Sequence, residues 1–250
     1  MKNIASKIFT IICISTMCSC HTPSFGNGNI TSSDNYEDRF TLDEHKVANF
    51  KDGAPQGYEI RNDRGNGHPF NCSFSRNNVK FENEVMDLYL TETEKGYAGA
   101  EYRSYQTYRY GYFSTSMKAV KCPGVISSFF IYTGFPWHEI DIEFLGDDTT
   151  RVQFNHYTNG IGHHEYYYNL GFDASLDYHE YGFLWEKDSL VYYVDGKAVY
   201  KTTDNVPSRG GRIMVNLWNV DDSNKEWAGK FDDSYLPVNS SYKWIGYQSS

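Results

Sequence analysis

Residues 137–146 read Trp137-His138-Glu139-Ile140-Asp141-Ile142-Glu143-Phe144-Leu145-Gly146. Acids and large apolar side chains alternate here, and in an extended chain alternate side chains share a face. Glu139, Asp141 and Glu143 therefore project from one surface of a strand, while Ile140, Ile142 and Phe144 point into a core. The same two-residue period, or β-branched and aromatic enrichment, recurs at 86–91, 110–117, 124–132, 151–157, 178–185, 190–194, 212–218 and 242–247. Asp195-Gly196 divides 190–194 from a further run at 197–202, and both turn positions favour positive φ, which predicts a tight antiparallel hairpin. No stretch of helical period is long enough to predict a helix with core contacts. The expectation is an all-β fold: a two-sheet antiparallel β-sandwich, or jelly roll, with a concave cleft.

The 250 residues suit one domain, and 22 Tyr, 16 Phe and 5 Trp suit pleated strands and surfaces that stack against sugar rings. A formal charge of −9 with no run of Lys and Arg opposes binding to nucleic acid. Lys2 and Lys7 precede an apolar run from Ile8 to Met17 that is too short to span a bilayer, so residues 1–20 read as a signal peptide. Met17-Cys18-Ser19-Cys20 resembles a lipobox in which Cys20 is acylated, giving a membrane tether; a simple signal peptide cut nearby would release a soluble protein instead. Residues 21–36 are Ser, Asn, Gly and Thr-rich and read as a flexible spacer, and 37–250 as the folded domain, expected to act as a monomer. Only Cys72 and Cys122 remain in that domain, either bonded to each other or as buried thiols. His163-His164 lies in a Gly-flanked polar stretch that reads as a loop, with no metal-ligand spacing.

Three like charges on one strand face cost free energy unless a proton is retained, so such a row needs a reason beyond solubility. Two carboxyls flanking a glycosidic bond supply one. In retaining glycosidases one attacks the anomeric carbon and the other protonates the leaving oxygen, with the carboxyls about 5–5.5 Å apart. Two Glu four residues apart in a strand can lean together across most of the ~13 Å between their Cα atoms. Asp141 between them would hydrogen-bond one Glu and by its charge raise the other's pKa. The expected division is an ionised Glu139, a protonated Glu143 and Asp141 as the tuning group, a chemistry that requires no cofactor. A plain solvent face of an amphipathic strand is the competing reading of E-x-D-x-E, and Trp137 and Tyr132 beside the row weigh against it.

The segment Glu-Ile-Asp-Ile-Glu-Phe-Leu-Gly resembles the signature of glycoside hydrolase family 16, and its surroundings resemble the bacterial lichenases of that family. In order, the further matching segments are 127–130, 132–134, 152–155, 157–160, 170–173, Met214 and 216–219, within a likeness that covers roughly 66–247. The resemblance implies an exported endo-hydrolase that acts with retention on β-1,3-1,4-glucan, with Glu139 as nucleophile, Asp141 as assisting carboxylate and Glu143 as acid/base. It also implies cleft residues Asn66, Phe70, Glu101, Arg103, Phe130, Tyr132, Trp137, Asn155, Tyr157, Asn216, Trp218 and Trp227, with core packing the competing role of each ring. A β-1,3-glucanase or xyloglucan-active relative, and a non-catalytic glucan-binding lipoprotein, are the alternatives. Departures from the pattern are a shorter loop at 134–136, His138 in place of an acid, and Arg64 at an aromatic sugar-stacking position. Gly99 stands where a disulfide partner of Cys72 is expected, and Lys243 where the family has an acid tied to structural calcium, which counts against calcium here.

Overall fold

The structure, a computed structural model, describes residues 47–250; the leader, the spacer, Cys20 and the expected domain start at 37 lie outside the described residues. Sixteen strands follow one another: β1 (Val47–Asn49), β2 (Tyr58–Ile60), β3 (Ser73–Phe74), β4 (Val79–Glu82), β5 (Val85–Thr93), β6 (Gly96–Tyr108), β7 (Gly111–Lys118) and β8 (Val125–Tyr132), then β9 (His138–Leu145), β10 (Arg151–Thr158), β11 (Tyr166–Asn169), β12 (His179–Trp185), β13 (Leu190–Val194), β14 (Lys197–Thr202), β15 (Gly211–Asn219) and β16 (Val238–Gln248). A single helical turn, α1 (Lys225–Ala228), follows β15. One layer runs β11-β10-β9-β8-β15-β6 with β2 beside β6, and the other runs β5-β16-β7-β12-β13-β14 with β4 beside β5 and β1 beside β16. The β5–β6 hairpin carries the hydrogen bonding from one layer into the other through Thr91↔Ala98 and Thr93↔Gly96. Every pair is antiparallel except the short β3–β6 contact.

The apolar half of the β9 alternation faces this second layer. Ile140, Ile142 and Phe144 are fully buried, and Phe144 meets the ring of Tyr181 on β12 at 4.7 Å. Next to β9, Phe154 of β10 stacks on Tyr192 of β13 at 4.3 Å, and Phe129 of β8 lies 5.9 Å from Phe183 of β12. Burying each such side chain contributes about 1.5–3 kcal/mol, which holds the acid-bearing layer against its partner. Two tyrosine hydroxyls of the lower layer also pin the flanking strands from beneath. Tyr192 Oη donates to the carbonyl of Asn155 (2.8 Å) and Tyr242 Oη to that of Ser128 (3.0 Å). These bonds satisfy phenols that would otherwise be buried without partners.

The Asp195-Gly196 hairpin forms as expected, with φ of 49° and 74°, and joins β13 to β14. The expected runs leave out β1 to β4, β6 and β11; of these β6, at 13 residues, is the longest and carries Glu101 and Arg103. Its Gly-Tyr-Ala-Gly-Ala start gives no clean alternation, because those residues lie against other strands on both faces: a Cβ on Gly99 would sit 2.3 Å from the carbonyl oxygen of Leu217. The same Cβ would lie 3.1 Å from Cys72 Sγ, so position 99 does adjoin Cys72, yet Cys72 and Cys122 are both buried free thiols.

Candidate active site

Cross-strand register determines what surrounds the acids, because residues directly opposite one another share a face. Glu139 lies between Tyr157 of β10 and Tyr132 of β8, Asp141 between Asn155 and Phe130, and Glu143 between Gln153 and Ser128. Beyond β8, Ser128 faces Asn216 of β15, which faces Glu101 of β6, while Phe130 leads through Met214 to Arg103. Three acids on β9 thus form the floor of a groove whose cross-strand neighbours are aromatic or hydrogen-bonding on both sides. Asp141 is buried at 5% exposure and the two glutamates are half-buried.

Each glutamate has a fixed donor. Trp137 Nε1 donates to Glu139 Oε2 at 2.5 Å, and the Trp137 ring is itself stacked on Tyr157 at 4.4 Å. Gln153 Nε2 donates to Glu143 Oε2 at 2.8 Å. The orientation of that amide is determined from its other end, where Gln153 Oε1 accepts from Tyr167 Oη (2.7 Å) and Trp227 Nε1 (2.9 Å). With the oxygen occupied by two donors, only the amide N–H groups remain for Glu143. Gln153 is a site residue that sequence reasoning missed; it sits two positions before Asn155 on the same strand face, but nothing local pairs it with Glu143.

Burial, and repulsion from Glu143 and Glu101, push the Glu139 carboxyl up to about 8 against the pull of the Trp137 N–H. Burial and Glu165 push Glu143 up to about 7 against the pull of Gln153, and burial with both glutamates drives Asp141 well above the carboxylate range. The row therefore retains a proton near neutral pH, as an acid–anion pair requires. Burial raises all three carboxyls together, and Glu101 and Glu165 add repulsion from outside the row. Among the described residues Asp141 has no hydrogen bond to a flanking glutamate; burial, and then the charges of both glutamates, raise its own pKa.

Carboxyls that hold protons more tightly folded than unfolded favour the folded state at low pH, and this advantage is lost as pH rises from about 4.5 through 7 to 8. Asp141→Asn removes the most buried member at nearly constant shape. Its melting temperature is expected to exceed that of the unmodified protein by ~2–6 °C at pH 8 and by far less at pH 4.5, read by calorimetric scans across that range. An offset independent of pH would contradict the repulsion account.

The remaining sequence-identified residues fall on the same face or its walls, with differing roles. Phe70 stacks on Trp218 at 3.9 Å, and Trp218 is only 3% exposed, so Trp218 supports Phe70 instead of offering its own face. Phe130 is buried on the strand beside Asp141, directly opposite it, and Trp227 lies against Trp218 at 6.1 Å while bonding Gln153. Asn216 accepts from Ser128 Oγ, Asn155 Nδ2 donates to Tyr157 Oη (3.4 Å), and Asn66 Oδ1 accepts from Arg61. Arg103 pairs with Glu59 (2.7 Å) and with the buried Glu101 (3.3 Å). His138 does turn away from Glu139: it is buried, its Nδ1 accepts from Ser208 N–H, and its Nε2 then donates to Asn159 Oδ1. His163 and His164 lie in the loop between β10 and β11, as expected, and the His164 ring stacks on that of His156 at 3.9 Å. At the calcium-associated position, Lys243 Nζ lies 4.3 Å over the ring of Tyr178, with Lys118 Nζ at 5.4 Å on the same ring. Two ammonium groups there do not suit a divalent cation.

Residues 66–236 match the family described as glycosyl hydrolases family 16, more than half the chain. The chain belongs to this family. A relative from Acetivibrio thermocellus named beta-glucanase is 48% identical over 195 residues, covering 74% of this chain and 57% of its own length, so the chain spans little more than half of that protein. A beta-glucanase of Paenibacillus polymyxa is 46% identical over 194 residues, 74% of this chain and 79% of the relative. Among family members of known structure, a prokaryotic beta-1,3-1,4-glucanase (lichenase) derived from a mouse hindgut metagenome superposes with a TM-score of 0.78 at 42% identity, over 82% of this chain and 98% of that one. The family 16 match takes in the whole acid strand and every sequence-identified cleft residue from Asn66 to Trp227.

Proposed function

We propose that this chain is a retaining endo-β-glucanase that hydrolyses β-1,4 bonds of mixed-linkage β-1,3-1,4-glucan, as in lichenan and cereal β-glucan. The observation that carries the reading is the row Glu139, Asp141, Glu143 on the groove floor, with a separate fixed donor on each glutamate. Glu139 attacks the anomeric carbon as the bond to the leaving oxygen breaks, and the Glu143 proton passes to that oxygen. The resulting glycosyl ester is hydrolysed when Glu143, now a base, takes a proton from water and the water oxygen displaces Glu139. The Trp137 N–H favours the Glu139 anion, the leaving group in this second step. Tyr132, Tyr157 and Phe70 offer ring faces to the C–H faces of glucose, and Asn66, Asn155, Asn216, Glu101 and Arg103 suit its hydroxyls.

In the same reading, residues 1–20 direct export, Cys20 carries a lipid tether at the cell surface, and the monomeric domain meets polysaccharide as its partner. The decisive experiment is a time course of oligosaccharides from mixed-linkage glucan, with anomeric configuration followed by proton NMR. Short products of the β-configuration should accumulate, while pure β-1,3-glucan, cellulose and xyloglucan remain poor substrates. Preferred cutting of β-1,3-glucan or xyloglucan would overturn the specificity, and binding without cutting would overturn the enzyme.

A further inference from the structure

We propose that Arg61 is a positioning residue that sets the hydrogen-bonding groups of Asn66 and Glu101, and with them the affinity for the sugar unit at the β6 end of the groove. The inference rests on the glucanase reading above and concerns a residue outside the 66–236 family match.

Arg61 follows β2, and its N–H donates to the carbonyl of Glu101 (3.0 Å), extending the ladder in which Ile60 faces Tyr102. Residues paired across a ladder share a face, so Arg61 and Glu101 belong to the same surface as Asn216 and Glu143. The Arg61 side chain is 13% exposed, and its guanidinium lies 4.7 Å over the ring of Phe74. Its Nη1 donates to Asn66 Oδ1 at 2.6 Å and lies 3.4 and 3.5 Å from the two Glu101 oxygens, while Nε donates to Asp63 Oδ2 at 2.6 Å. One planar fork thus ties the groove floor to the loop that forms its wall.

The consequence is chemical. Oδ1 accepting from Arg61 sets which way the Asn66 amide is turned, and its –NH2 group remains to donate to a ligand. Glu101 is buried, and burial raises its pKa against the pull of Arg61 and Arg103, from whose guanidinium groups its two oxygens accept. Donor and acceptor are both within reach of one Arg61 nitrogen, and a sugar hydroxyl needs both, since it donates and accepts. Neighbouring hydroxyls of a glucosyl ring match that arrangement. A lysine could still neutralise Glu101, but as a point charge it has no second arm to hold Asn66 and Asp63 together.

Steady-state kinetics on mixed-linkage glucan, with melting temperatures, test this in Arg61→Met, Arg61→Lys, Asn66→Ala and the Arg61→Met/Asn66→Ala double variant. KM is expected to rise ~5–20-fold in both Arg61 variants while kcat stays within ~3-fold, the pattern of lost binding common to ground and transition states. Because Arg61 works in part through Asn66, the double variant should lose less than the product of the two single losses, the remainder being the share carried by Glu101. Unchanged KM in both Arg61 variants, multiplied losses in the double variant, or a fall in kcat at constant KM would each overturn the proposal. Should Arg61→Met not fold, Arg61→Lys carries the same expectation. If the parent protein does not cut the polymer, the glucanase reading fails and takes this one with it; cutting by the parent with KM unmoved removes only the role of Arg61.

Discussion

Glu139→Ala is expected to lower kcat on mixed-linkage glucan by on the order of 10⁴-fold or more, the scale of removing a group that acts as nucleophile. Fold should be retained, since the side chain lies in the groove and its loss removes one member of a mutually repelling set. Sodium azide should restore turnover in this variant, because a small anion can enter the space left by the carboxylate and attack the anomeric carbon directly. A single displacement inverts configuration, so the product is the α-glycosyl azide. With Glu143→Ala the ester on Glu139 still forms from substrates with a good leaving group, and azide then displaces it in a second inversion to give the β-azide. The two products, separated by NMR, assign the roles independently of rates. An α-azide from Glu143→Ala or a β-azide from Glu139→Ala would exchange the two residues.

The second large effect belongs to Gln153. Gln153→Leu removes the donor that β10 places on Glu143 and strands the Tyr167 hydroxyl and Trp227 N–H that had met its oxygen. A misplaced acid/base forfeits part of the 10²–10⁴-fold that general acid–base catalysis supplies, so kcat should fall by roughly 10²-fold. The pH profile adds a signature that a loss of folding would not give. The Gln153 bond lowers the Glu143 pKa, so without it that pKa rises, and the alkaline limb of activity, where the acid loses its proton, should move upward. Tyr167→Phe, which removes one of the two donors holding the amide, should show a smaller loss in the same direction. A kcat within 2-fold of the parent in Gln153→Leu would remove Gln153 from the acid/base machinery.

Much of this arrangement was legible in the chain. Alternation over 139–144 identified which side chains face the groove and which the core, and Ile140, Ile142 and Phe144 are indeed fully buried. The strands that carry the acids and their immediate neighbours, β8, β9, β10 and β15, fall within a residue or two of the expected runs. The raised proton affinity expected of that row is present, with burial as its largest cause and neighbouring acids, Glu101 and Glu165 among them, adding to it. What stayed hidden was different in kind. β6 escaped notice because its small residues pack closely against neighbouring strands and lack a hydrophobic period. Gln153 and Arg61 carried no local mark of function, since each gains its role from a partner on another element. Trp218, one of the expected cleft rings, is nearly buried and stacked on Phe70, a neighbour that an isolated aromatic residue in a sequence cannot disclose.

The amino-acid sequence by itself determined the β architecture, the acid row and its facing, because two-residue alternation follows from the geometry of a single extended strand. Tertiary structure alone decided which groups act on those acids. The Trp227–Gln153–Glu143 relay and the Arg61–Glu101–Asn66 tie join residues as far as 74 and 40 positions apart, through strand register and loop closure. Register is settled by the packing of whole sheets, and proton affinity by burial and by charges brought near through that packing, so neither is written in any local stretch of the chain.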